Sequence, residues 1–125
     1  MYLSPQWSVM MINLEEELKA IQEAKERIAP VLLPTRMITS EYYSQVYGNQ
    51  VFLKPENLQR TGSFKLRGAF NMISRLSEDD RNRGIVTASA GNHAQGVGYS
   101  GQYYHCPCTI VMPETTPLLK IDPAR

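Results

Sequence analysis

The sequence has no apolar run near the roughly 20 residues that a membrane-spanning helix needs. The opening "MYLSPQWSVMMIN" lacks the basic flank and small-residue cleavage site of a secretory signal, so the expectation is a cytoplasmic protein without a membrane partner. Charge of one sign is not in excess: 13 Lys and Arg stand against 12 Asp and Glu, with a net charge of +1. The charges are interspersed, which gives no electrostatic pull toward nucleic acid. Cysteine is scarce, with two residues that form a C-x-C at Cys106 and Cys108. One such pair is too little for a disulfide framework or a zinc site. Buried or half-buried thiols are expected instead, because reduced cysteine behaves as a small hydrophobe. His105 beside them is a possible ligand, but no second ligand cluster accompanies it, so no metal is expected. Internal repeats and low-complexity linkers are absent as well.

What remains is ordinary globular composition, 42% hydrophobic and 20% charged over 125 residues. That length suits one domain or part of a larger one. "NLEEELKAIQEAKERI" predicts a helix capped by Asn13, with Glu15 to Glu17 in its first turn and an apolar stripe of Leu14, Leu18, Ile21 and Ile28. "MITSEYYSQVYGN" predicts a short helix closed by Gly48 and Asn49. "QVFLK", "GIVTAS" and "CTIVMP" predict strands. Helices are expected from Lys65 to about Leu76, with Leu66, Phe70 and Ile73 on one side, and over "NHAQGVGYSGQYYH". A last helix is expected from Pro117, capped by Thr116. The alternation predicts an α/β fold, a parallel sheet with flanking helices. Three short strands would make a thin sheet whose edges need cover, so the chain reads as the front of something longer.

Two runs carry chemistry. In "LQRTGSFKLRGAFN", Ser63 can cap a helix, which puts Lys65 in its first turn. The positive end of the helix dipole disfavours an ammonium there, and Arg60 and Arg67 would add to that effect. Together they favour a neutral amine, the form that attacks a carbonyl. A solvated lysine at a helix end is the plain alternative. In "TASAGNHAQG" a strand gives way to a helix through small residues. Backbone N–H groups at such a junction bind anions, and Ser89, Asn92 and His93 could add donors. An ordinary strand-to-helix turn capped by Asn92 is the alternative here.

"KPENLQRTGSFKLRGAFN", "SAGNHAQG" and "IVMPETTPLLKI" together resemble the threonine ammonia-lyase (threonine dehydratase) family, over nearly the whole chain from about Glu16 to Arg125. That family belongs to the larger pyridoxal-phosphate group that includes serine racemase. The resemblance implies the N-terminal portion of a two-lobed, fold type II enzyme of tryptophan synthase β-like architecture. Residues 1–76 would belong to the large lobe, and 77–125 would begin the small one. It implies pyridoxal 5'-phosphate as cofactor, held covalently by Lys65, with Phe64 packed against its ring and Asn92 contacting the ring oxygen. It assigns the substrate carboxylate to Ser89, Gly91, Asn92 and His93. The implied reaction turns L-threonine, or L-serine as a second substrate, into a 2-oxo acid and ammonia, in amino-acid metabolism and isoleucine biosynthesis. A homo-oligomer is implied for the full-length protein. Serine racemase has a serine at the position of Ala90; alanine cannot take a proton, which favours elimination over racemisation.

Gly96, Gly98 and Gly101 spell G-x-G-x-x-G, but they fall inside a helix rather than at the strand-to-helix turn of a dinucleotide site. A smooth strip of Ala94, Gly98 and Gly101 for close packing is expected there. Tyr42, Tyr43, Tyr47, Tyr99, Tyr103 and Tyr104 lack interleaved basic residues and are expected in core or interface packing rather than on a nucleic-acid platform. The family's phosphate-cradling glycine loop and pyridine-nitrogen partner are not in this sequence. "LLPTR" and Pro123 also depart from its pattern. The chain by itself is therefore expected to be weakly active or inactive. The other reading is a non-catalytic remnant or an interaction protein that pairs with a full-length relative.

Overall fold

A computed structural model describes residues 13–117. The helix expected from Pro117 onward falls almost wholly outside the described residues. Thr116 Oγ1 donates back to Pro113 O at 2.7 Å.

Helix α1 runs Leu14–Ile28, with Asn13 Oδ1 accepting from Glu15 N at 3.2 Å. Only its last turn reaches the core, through Ile28. The rest of the expected apolar stripe is open: Leu14, Leu18 and Ile21 are all more than half exposed. A period in sequence marks a face, but burial requires a neighbour to cover it.

Strand β1 (Ile38–Thr39) pairs antiparallel with β2 (Phe52–Leu53), in register Ile38 with Leu53 and Thr39 with Phe52. Between them lies α2 (Glu41–Tyr47), capped by Ser40 and closed by Gly48 at φ 62°. The helix expected from Met37 thus starts later, and its first residues are strand. Strand β2 does not join the other strands among the described residues. A single three-stranded sheet is replaced by two separate pairs. Proline 55 ends β2 after two residues, and only β1 offers it a partner.

A 3₁₀ turn (Glu56–Leu58) leads to α3 (Lys65–Ser74). The polar helix α4 (Glu78–Arg83) follows. It was not anticipated. Its sequence signal is a capping box: Ser77 Oγ accepts from Asp80 N at 3.1 Å and donates to Asp80 Oδ2 at 2.7 Å. Strand β3 (Ile85–Ala88), helix α5 (Asn92–Tyr103) and strand β4 (Cys108–Val111) form a βαβ unit, with β3 and β4 parallel and Ile85 opposite Cys108.

The core lies where α3 meets α5. Leu66, Phe70 and Ile73 of α3 are buried as expected. Ile28 and Val31 pack on Leu66 and Phe70, while Ala69 and Ile73 pack on Val97. Tyr103 and Tyr104 stand 5.0 and 5.1 Å from the Phe70 ring, and Tyr99 packs against the same cluster. Tyr42, Tyr43 and Tyr47 are exposed on α2. Cys106 is buried and Cys108 half-buried, both reduced. Burial, and the Cys106 thiol beside it, push the Cys108 thiol above its ordinary value.

Candidate active site

Lys65 is the first residue of α3. Ser63 is buried and its Oγ accepts from Lys65 N at 3.3 Å, but the N-cap position falls to Phe64, which makes no side-chain capping bond, because the chain is already helical there. The Lys65 side chain is exposed. Its Nζ lies 4.8 Å from the centroid of the Phe64 ring, which is itself more than half exposed.

The two arginines expected to press on Lys65 are engaged elsewhere. Arg60 Nε donates to Val31 O at 2.7 Å. Arg67 donates to both oxygens of Glu56, from Nε to Oε2 and from Nη2 to Oε1, each at 2.8 Å. Their charges are thus neutralised or satisfied away from the amine. Lys65 itself stands at the N-terminal end of α3.

Ser89, Gly91, Asn92 and His93 form the junction from β3 into α5. Ser89 N donates to Val111 O at 3.0 Å, which fixes the junction to β4. Ser89 Oγ accepts from Gly91 N at 3.3 Å. Gly91 stands at the N-cap with no side chain to offer, so Asn92 is the first helical residue rather than the cap, and the α5 terminus has no side-chain cap. Free N–H groups of this kind suit an anion. Asn92 and His93 are exposed.

Packing of the two helices draws these runs together. A Cβ on Gly96 would stand 3.2 Å from both the carbonyl carbon and oxygen of Lys65 and 3.3 Å from Ala69 Cβ. The second turn of α5 therefore rests on the first residue of α3. Asn92 begins α5 one turn before that contact. His93 lines a cleft of about 170 Å³ with Gly68, Ala69 and Met72 of α3. Lys65 lies one turn before Gly68 and Ala69 on α3. Gly96 and Gly101 both make close approaches, and a Cβ on Gly101 would collide with Cys108 Sγ.

Sequence reasoning missed the side chains that hold the lysine loop. Glu56 Oε1 also accepts from Thr35 Oγ1 at 2.6 Å. The Arg67 hydrogen bonds, with help from Thr35, hold the Glu56 carboxyl down at about 2, while its burial works against them. The same pair raises Arg67. Gln59 is buried; its amide accepts from Leu33 N at 2.9 Å and donates to Leu33 O at 2.8 Å. These partners are 11 to 29 residues apart, and nothing local in the sequence announces them.

A family model described as "Pyridoxal-phosphate dependent enzyme" matches residues 28–125. The L-threonine ammonia-lyase of Thermotoga maritima is 50% identical over 115 residues, covering 92% of this chain and 28% of that protein. The solved structure of processed threonine deaminase isoform 2 from Solanum lycopersicum superposes with a TM-score of 0.79 at 41% identity, covering 91% of this chain and 32% of that one. Serine racemase from Dictyostelium discoideum gives 0.80 at 39% identity, with 86% and 35% covered. The chain thus spans less than a third of the length of its curated relative.

Proposed function

The chain belongs to the pyridoxal-phosphate dependent enzymes, and from that premise we propose that the protein carrying it deaminates L-threonine to 2-oxobutanoate and ammonia, with L-serine as a second substrate. The observation that carries this reading is the seating of Gly96 on the Lys65 carbonyl, which packs the residue bearing the exposed amine against the helix whose terminus is uncapped. Relatives named for threonine deamination support the choice of substrate. The two-lobe division at 76 and 77, a homo-oligomer, a cytoplasmic location and a role in isoleucine biosynthesis go with the same proposal. Among the described residues no helix is long and apolar enough to cross a membrane.

The residues present fit pyridoxal phosphate at its aldehyde end and at the substrate carboxylate. Lys65 Nζ is exposed with an aromatic ring beside it. A Cβ on Gly91 would meet nothing within 4 Å, so the loop face is open to an occupant. Bound pyridoxal phosphate supplies the electron sink that makes an amino acid's Cα proton removable. Lys65 would hold the group, and its Nζ would take the Cα proton. Phe64 and Asn92 would help to hold its ring. The first-turn N–H groups of α5, with Ser89, Gly91, Asn92 and His93, orient the substrate carboxylate. Ala90 offers no second base, which keeps the reaction on elimination.

The test is reduction with borohydride after addition of pyridoxal phosphate, followed by peptide mapping. Stoichiometric label on Lys65 is expected. Label scattered over Lys19, Lys25 and Lys54 would instead favour a non-catalytic, partner-binding protein. In the full-length protein, Lys65→Ala is expected to lower kcat for 2-oxobutanoate formation at least about thousandfold; retained turnover would overturn the assignment. A D-amino acid as main product would shift the reading to racemisation, the activity of the D. discoideum relative.

A further inference from the structure

We propose that Glu56, gripping Arg67 at two points, is a positioning residue for Lys65: the pair sets where the first turn of α3 begins and so where the amine stands. The proposal rests on the reading of Lys65 as the cofactor lysine and names what holds it in place.

The need for such a device is local. Helix α3 has no side-chain bond at its N-cap, Phe64, and the amide of its first residue, Lys65 N, donates to Ser63 Oγ at a long 3.3 Å. Just before it, Gly62 sits at φ 67° with open space where a Cβ would be. The turn from Thr61 to Phe64 therefore has little of its own to fix it. Arg67 lies two residues after Lys65 in the same helical turn. Its guanidinium is held by Nε to Oε2 and Nη2 to Oε1, both at 2.8 Å. A fork against a carboxylate fixes orientation as well as distance, which a single point charge does not.

The other side of the grip is anchored. Thr35 Oγ1 donates to Glu56 Oε1 at 2.6 Å. Gln59 holds Leu33 through both backbone groups, and Arg60 holds Val31 O at 2.7 Å. Val31 is itself core, packed with Leu66 and Phe70. A continuous set of contacts thus runs from the core, through residues 31–35 and the Glu56 turn, to Arg67 and the start of α3. Glu56 is the only side chain in it that bonds α3's first turn directly among the described residues. It acts through Lys65, by way of Arg67.

The experiment uses the full-length protein carrying this chain, with Glu56→Gln, Arg67→Lys and the double variant. One readout is the rate at which pyridoxal phosphate and borohydride label Lys65, referenced to exposed Lys19 in the same digest. The other needs no cofactor: hydrogen exchange of the backbone amides at residues 63–66. Each single variant is expected to slow Lys65 labelling about tenfold, since a displacement of about 1 Å at a reacting group has effects of that order or more. Exchange at 63–66 should quicken by a similar factor, and the double variant should be no worse than either single one, as partners in one contact are not additive. A purely stabilising ion pair would lower Tm yet leave folded protein labelling and exchanging at the wild-type rates; that result overturns the proposal, as does full additivity. Arg67→Lys keeps the charge and loses the fork, so it decides the question if Glu56→Gln does not fold. Should wild-type protein take no label at Lys65, the cofactor reading fails, and faster or unchanged exchange alone then supports or overturns the positioning role.

Discussion

At the scale of one residue, Glu56 shows how tertiary contacts create a property its sequence neighbours do not. Its carboxyl is held at about 2 instead of 4.5, first by Arg67 and then by Thr35. A depressed carboxylate contributes stability that is fully present above its unfolded value. That stability is lost as pH falls from about 4.5 toward about 2. The contribution is about 1–2 kcal/mol once solvent screening of the part-exposed Arg67 is allowed for. Urea unfolding at about pH 6 and at about pH 3 measures it. The gap in stability between wild type and Glu56→Gln should narrow on acidification. A gap that stays the same width would mean that the carboxylate is not held by this pair in solution.

At the scale of elements, the contact between α3 and α5 decides both the core and the site. Gly96 allows it. Alanine there gains about 1 kcal/mol of helix propensity. Its methyl would also sit 3.2 Å from the Lys65 carbonyl, a backbone group that can yield only if the helices part. Gly96→Ala is therefore expected to destabilise by about 1–2 kcal/mol net and to slow Lys65 labelling; a more stable variant with unchanged labelling would show that the helices adjust freely. The elements differ in how far the sequence revealed them. Leu66, Phe70 and Ile73 announced the buried face of α3 by their spacing, because that face has a partner. Leu14, Leu18 and Ile21 announced a face just as clearly, and it lies open. Helix α4 carries no apolar period, only a capping box, and β1 is two residues long. At the site, the two motifs were legible separately from their residue types. Their meeting through Gly96 was not, since a close approach depends on how the helices dock. The Glu56 and Gln59 contacts were hidden for the same reason.

At the scale of the whole molecule, the β3–β4 pair has one face covered and one open. Ile85, Thr87, Cys108 and Ile110 point toward the helices and are half-buried, while Val86, Ala88, Thr109 and Val111 are exposed, Val86 at 75% and Val111 at 55%. Parallel strands occur almost only with both faces covered, because their side chains are apolar on both. Each valine buried contributes about 1.5–3 kcal/mol, so an open parallel face is a strong drive to association. The 125-residue chain expressed by itself is therefore expected to self-associate through this face. Sedimentation velocity across a concentration series should show mass rising with concentration. Val86→Thr with Val111→Thr should return it toward monomer, with the helical content preserved, since both side chains are more than half exposed. A wild-type chain that stays monomeric at every concentration would mean that the face is tolerated by water as it stands. If instead the double threonine variant associates as strongly as wild type, the drive lies in the open stripe of Leu14, Leu18 and Ile21 on α1.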